Sequence, residues 1–128
     1  MVDRPWTAVA APAGTREYLA LISYLPLKRF RTIPRFLRYS GVVAKQLEGT
    51  RGLVGFSFRA KLVTREFYTL SVWEDEQALM DFVGTQPHLG TMGALRPHMT
   101  ETKFVRWALK GSLVPPSWED ALRALRTG

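Results

Sequence analysis

Residues Phe67–Met92 read FYTLSVWEDEQALMDFVGTQPHLGTM, and this stretch decides the fold. It opens on a run of β-branched and aromatic residues that ends at Trp73, the composition of a strand. Glu74, Asp75 and Glu76 follow at once, where the positive end of a helix dipole favours carboxylates. Ala78, Leu79, Phe82 and Val83 then recur at helical spacing, with Glu76 and Asp81 on the solvent side, until Gly84 ends the helix. Pro87 starts a second short helix that carries His88, Leu89, Met92 and Leu95, and Pro97 forbids a long continuation. A strand, an acidic helix start, an amphipathic helix and a Pro-His turn make one compact α+β unit.

Upstream, Glu17 to Leu25 is a nearly continuous apolar run of strand length closed by Pro26, as in a strand buried on both faces. Thr32 to Leu47 carries an apolar stripe through Ile33, Phe36, Leu37, Tyr39, Val43 and Leu47, with Pro34 suited to the first turn and Gly49 just past the end. Leu53 to Leu62 and Arg65 to Trp73 read as two strands joined around Val63 and Thr64 in an antiparallel hairpin. Downstream, Glu101 to Leu109 alternates Lys103, Val105, Trp107 and Leu109 against Phe104, Arg106 and Ala108, a fourth strand. After Pro115 and Pro116, Ser117 caps a last helix from Trp118 to Arg126. Residues 1–15, with two prolines, Gly14 and small side chains, are expected to be a flexible tail. The domain is then expected over 16–110, with a C-terminal extension over 111–128.

Composition narrows the chemistry. A chain of 128 residues that is 46% hydrophobic suits a single domain with a real core. Without cysteine there is no disulfide, no thiolate nucleophile and no cysteine-held metal, which fits a reducing cytoplasm. No run reaches the length of a membrane span or a signal peptide, so a cytoplasmic protein with no membrane partner is expected. Eighteen Lys and Arg against eleven Asp and Glu give a net charge of +7, and Lys28, Arg29, Arg31, Arg35 and Arg38 crowd together. That run lacks the interleaved aromatics of a nucleic-acid surface, so it reads as a solvated helix face and no nucleic-acid partner is expected. Nucleophile elbow, phosphate loop and dinucleotide fingerprint are all missing. His88 and His98 have no carboxylate at ligand spacing, so no metal site is expected.

The order strand, helix, strand, strand, helix, strand is the ferredoxin-like βαββαβ arrangement with a four-stranded antiparallel sheet. Helices cover one face. Apolar side chains on the other face need cover as well, and a second copy of the chain, sheet against sheet in a dimeric α/β barrel, supplies it. Alternation along the third strand puts Phe67, Thr69, Ser71 and Trp73 on one face, with Ser57 and Arg59 expected beside them on the neighbouring strand, a face that either lines a pocket or meets the partner sheet.

Trp73, the acidic triplet, Ala78-Leu79, Phe82 and Pro87-His88 before Met92, with Gln46-Leu47 and Gly52-Leu53-Val54-Gly55-Phe56 upstream, resemble the antibiotic-biosynthesis-monooxygenase-like branch of the dimeric α/β barrel superfamily. The likeness extends over Glu17 to Leu109. It implies a pocket between helices and sheet in each subunit of a homodimer, and relatives that include cofactor-independent oxygenases of aromatic polyketides, haem-binding and haem-degrading proteins, isomerases and many proteins with no assigned activity. The asparagine that oxygenases and haem degraders of this group place near a tryptophan has no counterpart, since the chain contains none. The histidine ligand of the haem degraders aligns near Met92, one helical turn beyond His88.

Three functions follow as expectations. The first is a cofactor-independent, monooxygenase-like oxidoreductase for a planar, oxygen-bearing organic substrate. His88 and Arg59 would be catalytic, His88 moving a proton and Arg59 holding an anionic oxygen. Trp73, Ser71, Phe82 and Met92 would bind the substrate. The second is a haem-binding protein with His88 as the axial ligand. The third is a non-catalytic dimeric binding or interaction module, with Trp73, Phe36, Phe82 and Met92 filling the interior.

Overall fold

The computed structural model describes residues Met1–Gly128. One antiparallel sheet holds β1 (Val2–Ala8), β2 (Glu17–Pro26), β3 (Leu53–Lys61), β4 (Glu66–Trp73) and β5 (Lys103–Lys110), in the spatial order β1-β3-β4-β2-β5. Helices α1 (Ile33–Glu48), α2 (Glu76–Val83) and α3 (His88–Leu95) lie over one face, and α4 (Trp118–Thr127) lies over the other. From β2 to β5 the connection order is the ferredoxin-like one.

Local chemistry sets the element limits. Pro34 stands in the first turn of α1 and Gly49 at its C-cap. Asp75 accepts the Ala78 backbone N–H at 2.9 Å to start α2, and Ser117 accepts that of Asp120 at 3.0 Å to start α4, each cap satisfying an otherwise orphaned donor. Gly52 bends the chain into β3 at φ +85°, and a Cβ there would fall 2.5 Å from the Ala78 Cβ. Only glycine meets both demands.

Two expectations change. Residues 1–15 are not a loose tail throughout: Val2–Ala8 pairs antiparallel with β3, Val2 opposite Ala60 and Ala8 opposite Gly55, so the sheet has five strands rather than four. Its register shifts between Arg4 and Thr7, around Pro5, which an edge strand accommodates because one side of its backbone needs no partner. Strand formation here comes from pairing with β3, not from local propensity.

The second change concerns the face of the sheet turned away from α1, α2 and α3, which was expected to depend on a second copy. Ala20, Ile22, Leu70 and Val72 on that face are at most 1% exposed within the single chain. Trp6 from β1, Trp107 from β5 and Trp118, Leu122 and Leu125 from α4 cover them. The Trp6 indole lies so close to β3 that a Cβ on Gly55 would come within 2.3 Å of it. Large aromatics deliver much buried area per residue, so one short helix and two strand tryptophans suffice as a cover.

Candidate functional site

Register decides which side chains face α1, α2 and α3. In β4, Ser71 stands opposite Leu21 of β2 and Phe56 of β3, while Thr69 stands opposite Ser23 and Phe58. Opposed residues share a face, so Ser23, Thr69 and Ser71 bring hydroxyls into the middle of an otherwise apolar surface. Phe67 and Trp73 flank them on the same side, as the alternation in β4 predicts.

Between this surface and the three helices lies a cavity of about 570 Å³, within the range of small-molecule sites. Tyr39 and Ser40 of α1 and Thr91 of α3 add hydroxyls to its walls. No buried side-chain nitrogen or oxygen lacks a hydrogen-bond partner. The cavity therefore carries its polarity on groups that a ligand or solvent can reach.

Five of the six site residues expected from the sequence line this cavity: Trp73, Ser71, Phe82, Met92 and His88. Trp73 is 1% exposed and belongs to the core as much as to the wall. Its Nε1–H donates to Ser71 Oγ at 2.8 Å. With that lone pair engaged, the Ser71 hydroxyl still has its own hydrogen to donate.

His88 is held from two directions. Its backbone N–H donates to Gln46 Oε1 at 3.0 Å, which ties the start of α3 to α1. Its ring Nδ1 lies 3.3 Å from the Val83 carbonyl oxygen. A carbonyl can only accept, so Nδ1 carries the hydrogen of this contact and Nε2 keeps its lone pair. Burial pushes the imidazole below its usual 6.5, against the opposing pull of the Val83 carbonyl, and a neutral ring at pH 7 follows. Phe82 packs 4.7 Å from the His88 ring and 5.3 Å from Trp73, so the three aromatics form a continuous wall.

Arg59 is the exception. It pairs with Tyr68, not Thr69, and so lies on the outer face. There its guanidinium makes two 2.9 Å hydrogen bonds to the Asp3 carboxylate and sits 4.7 Å over the Trp118 ring. The Asp3 carboxyl is held below its usual range by that guanidinium. Arg59 fastens β1 and α4 to β3 and has no access to the cavity. Nearby, Tyr24 donates to Glu66 Oε2 at 2.7 Å, which drives its phenol up to about 12, so this end of the outer face is also paired within the chain.

The guanidiniums that do line the cavity are Arg96, after α3, and Arg106 of β5, which is ion-paired with Glu76 of α2. Arg106 stands opposite Leu21, on the side of β5 that alternation assigns to Phe104, Arg106 and Ala108. That parity was the signal that could have found it. Lys28, Arg29, Arg31, Arg35 and Arg38 are exposed and line no part of the cavity.

Comparison with solved structures gives the fold its setting. A conserved protein from Methanosarcina mazei Go1 superposes with a TM-score of 0.64 at 12% identity, over 70% of this chain and 90% of its own. A structure described as an antibiotic biosynthesis monooxygenase matches with a TM-score of 0.64 at 14% identity, over 70% of this chain and 95% of its own. A Pseudomonas aeruginosa protein matches with a TM-score of 0.61 at 16% identity, over 74% of this chain and 96% of its own. No family model and no curated protein matches the sequence. The chain has the α+β fold of the antibiotic-biosynthesis-monooxygenase-like proteins, and at these identities the likeness is one of fold. No helix is long and apolar enough to cross a membrane.

Proposed function

We propose that the cavity binds a planar, oxygen-bearing organic substrate and that His88 acts there as a general base in a monooxygenase-like reaction without a resident cofactor. The observation that carries this reading is the state of His88: neutral, fixed by the Val83 carbonyl with Nε2 free, and set in an apolar wall. A base of this kind suits removal of a proton from a carbon acid at neutral pH. The resulting enolate gives its electrons to dioxygen. One oxygen atom replaces both hydrogens of a substrate methylene to make a carbonyl, and the other leaves with those hydrogens as water, so no external reductant is needed. The Ser71 hydroxyl donates to the enolate oxygen, and Phe82 and Trp73 offer flat surface to the rings. All of these groups belong to one chain, and the protein is proposed to act as a homodimer with one such cavity in each copy.

Oxygen uptake with anthrone as probe, measured against the buffer reaction, tests the proposal. We expect a rate above buffer, and a loss of about 10²-fold or more in His88→Ala, the usual contribution of a general base. kcat/KM should be level at neutral pH and fall on the acid side, below the ordinary histidine value of 6.5, as Nε2 becomes protonated. A wild-type rate equal to buffer, or to that of His88→Ala, defeats it.

The same observation favours a second reading, haem binding, because an imidazole with Nδ1–H on a carbonyl presents Nε2 as a ligand. His88 would hold the iron, and Arg96 and Arg106 the propionates; when bound, haem would supply redox chemistry. Haemin titration separates the two. A saturable Soret shift lost in His88→Ala supports haem, and no saturable shift removes it. If neither experiment responds, the non-catalytic binding module is the reading that survives.

A further inference from the structure

The charged side chains that line the cavity are of one sign. None of its lining residues is Asp, Glu or Lys; the ionisable groups besides Tyr39 are His88, Arg96 and Arg106. The rim is apolar and open, with Met80 41%, Val83 37%, Leu89 50% and Phe104 52% exposed. Bulky apolar groups left in water around an opening favour the passage of an apolar body, and a low-dielectric wall strengthens the field of any charge beside it.

We infer that the ligand of this cavity is an amphipathic acid, its planar apolar body seated inward and its carboxylate left at the mouth on Arg106. The inference rests on reading the cavity as a ligand site and adds the chemical class of what enters it. Arg106 is joined to Glu76, but both partners are well exposed, 41% and 67%, and such pairs contribute little. A carboxylate arriving with its rings already buried can share or replace Glu76, because a guanidinium offers five donors and takes a carboxylate with two parallel hydrogen bonds. Arg96 forms no salt bridge in the chain, so a second guanidinium on the wall has no carboxylate partner. A cationic ligand would meet both guanidiniums and no wall carboxylate. A neutral ligand would use the apolar interior and forgo the charge.

The test is a fluorescence titration of the full chain at low salt with 9-anthracenecarboxylate and its neutral counterpart 9-anthracenemethanol. The carboxylate should bind about tenfold more tightly, the worth of one charge-assisted hydrogen-bonded contact. Arg106→Gln should abolish that advantage and leave the alcohol unchanged. Glu76→Gln, which frees Arg106, should move the carboxylate the other way, to tighter binding. If the alcohol binds as well as the acid and neither substitution separates them, the inference is overturned while the cavity stands as a ligand site. If neither probe binds a chain that is folded by circular dichroism, both the ligand site and the inference fall.

Discussion

The two faces of the sheet are built from the same strands and have opposite fates. On the outer face Ala20, Ile22, Leu70 and Val72 are sealed under Trp6, Trp107 and α4. On the inner face, one residue along each strand, Leu21, Ser23, Thr69 and Ser71 line the cavity. The outer face is packed along its length, whereas the inner face packs on the helices at both ends, around Phe36 and Phe67 and around Trp73 and Phe82, and opens the cavity between them. Substitutions on the two faces should therefore differ in kind, costing stability on one and ligand on the other.

Removing residues 111–128 should disturb this division most strongly. It uncovers Ile22 and Leu70 and removes Trp118 and Ala121 from their cluster. Burial of each aliphatic side chain is worth about 1.5–3 kcal/mol, so a loss of several kcal/mol in chemical denaturation is expected, with self-association by light scattering. A stable, monomeric truncated chain would show that the cover is dispensable. Gly55→Val comes next. Its side chain invades the space of the Trp6 ring, and overpacking of this kind costs about 1–3 kcal/mol, read as a lower urea midpoint with altered tryptophan emission. Thr69→Phe puts comparable bulk into the cavity instead. Stability should change by less than about 1 kcal/mol, since there is room to receive the ring, while binding of the anthracene probes is lost. The smallest effect should be that of Arg59→Gln. The exposed side of its pair with Asp3 limits the cost to about 1 kcal/mol, and probe binding should not move at all. A large loss of binding would return Arg59 to the site.

Much of this was legible from residues that act locally. The caps at Asp75 and Ser117, the stops at Gly49 and Gly84 and the amphipathic stripes of α1 and α2 follow from nearest-neighbour chemistry, and they determine the βαββαβ order. Parity within β4 puts Ser71 and Trp73 on one face and helical position groups Phe82, Met92 and His88, while the packing of the helices decides that this face is the one lining the cavity. What was not legible depends on partners distant in the chain. Val2–Ala8 has little of its own to bury and becomes a strand only beside β3. Arg59 is the opposite case, legible but misplaced: parity in one strand says nothing of its neighbour until the hairpin register is applied. The turn after Lys61 brings that residue opposite Glu66, which aligns Arg59 with Tyr68. A closure at Val63 and Thr64, as the sequence suggests, implies the same alignment. Arg106 was open to parity along β5 but went unread, whereas Arg96, just past α3, becomes part of the wall only through tertiary packing.

The position of α4 in the chain has a temporal side. The helix that seals the outer face is synthesised after all five strands it serves. A partly folded chain in which α4 has yet to dock leaves the outer apolar row of the sheet bare, a face open to other chains. Lys103, Arg106 and Lys110 along β5 place positive charge on the edge strand where unwanted pairing would begin.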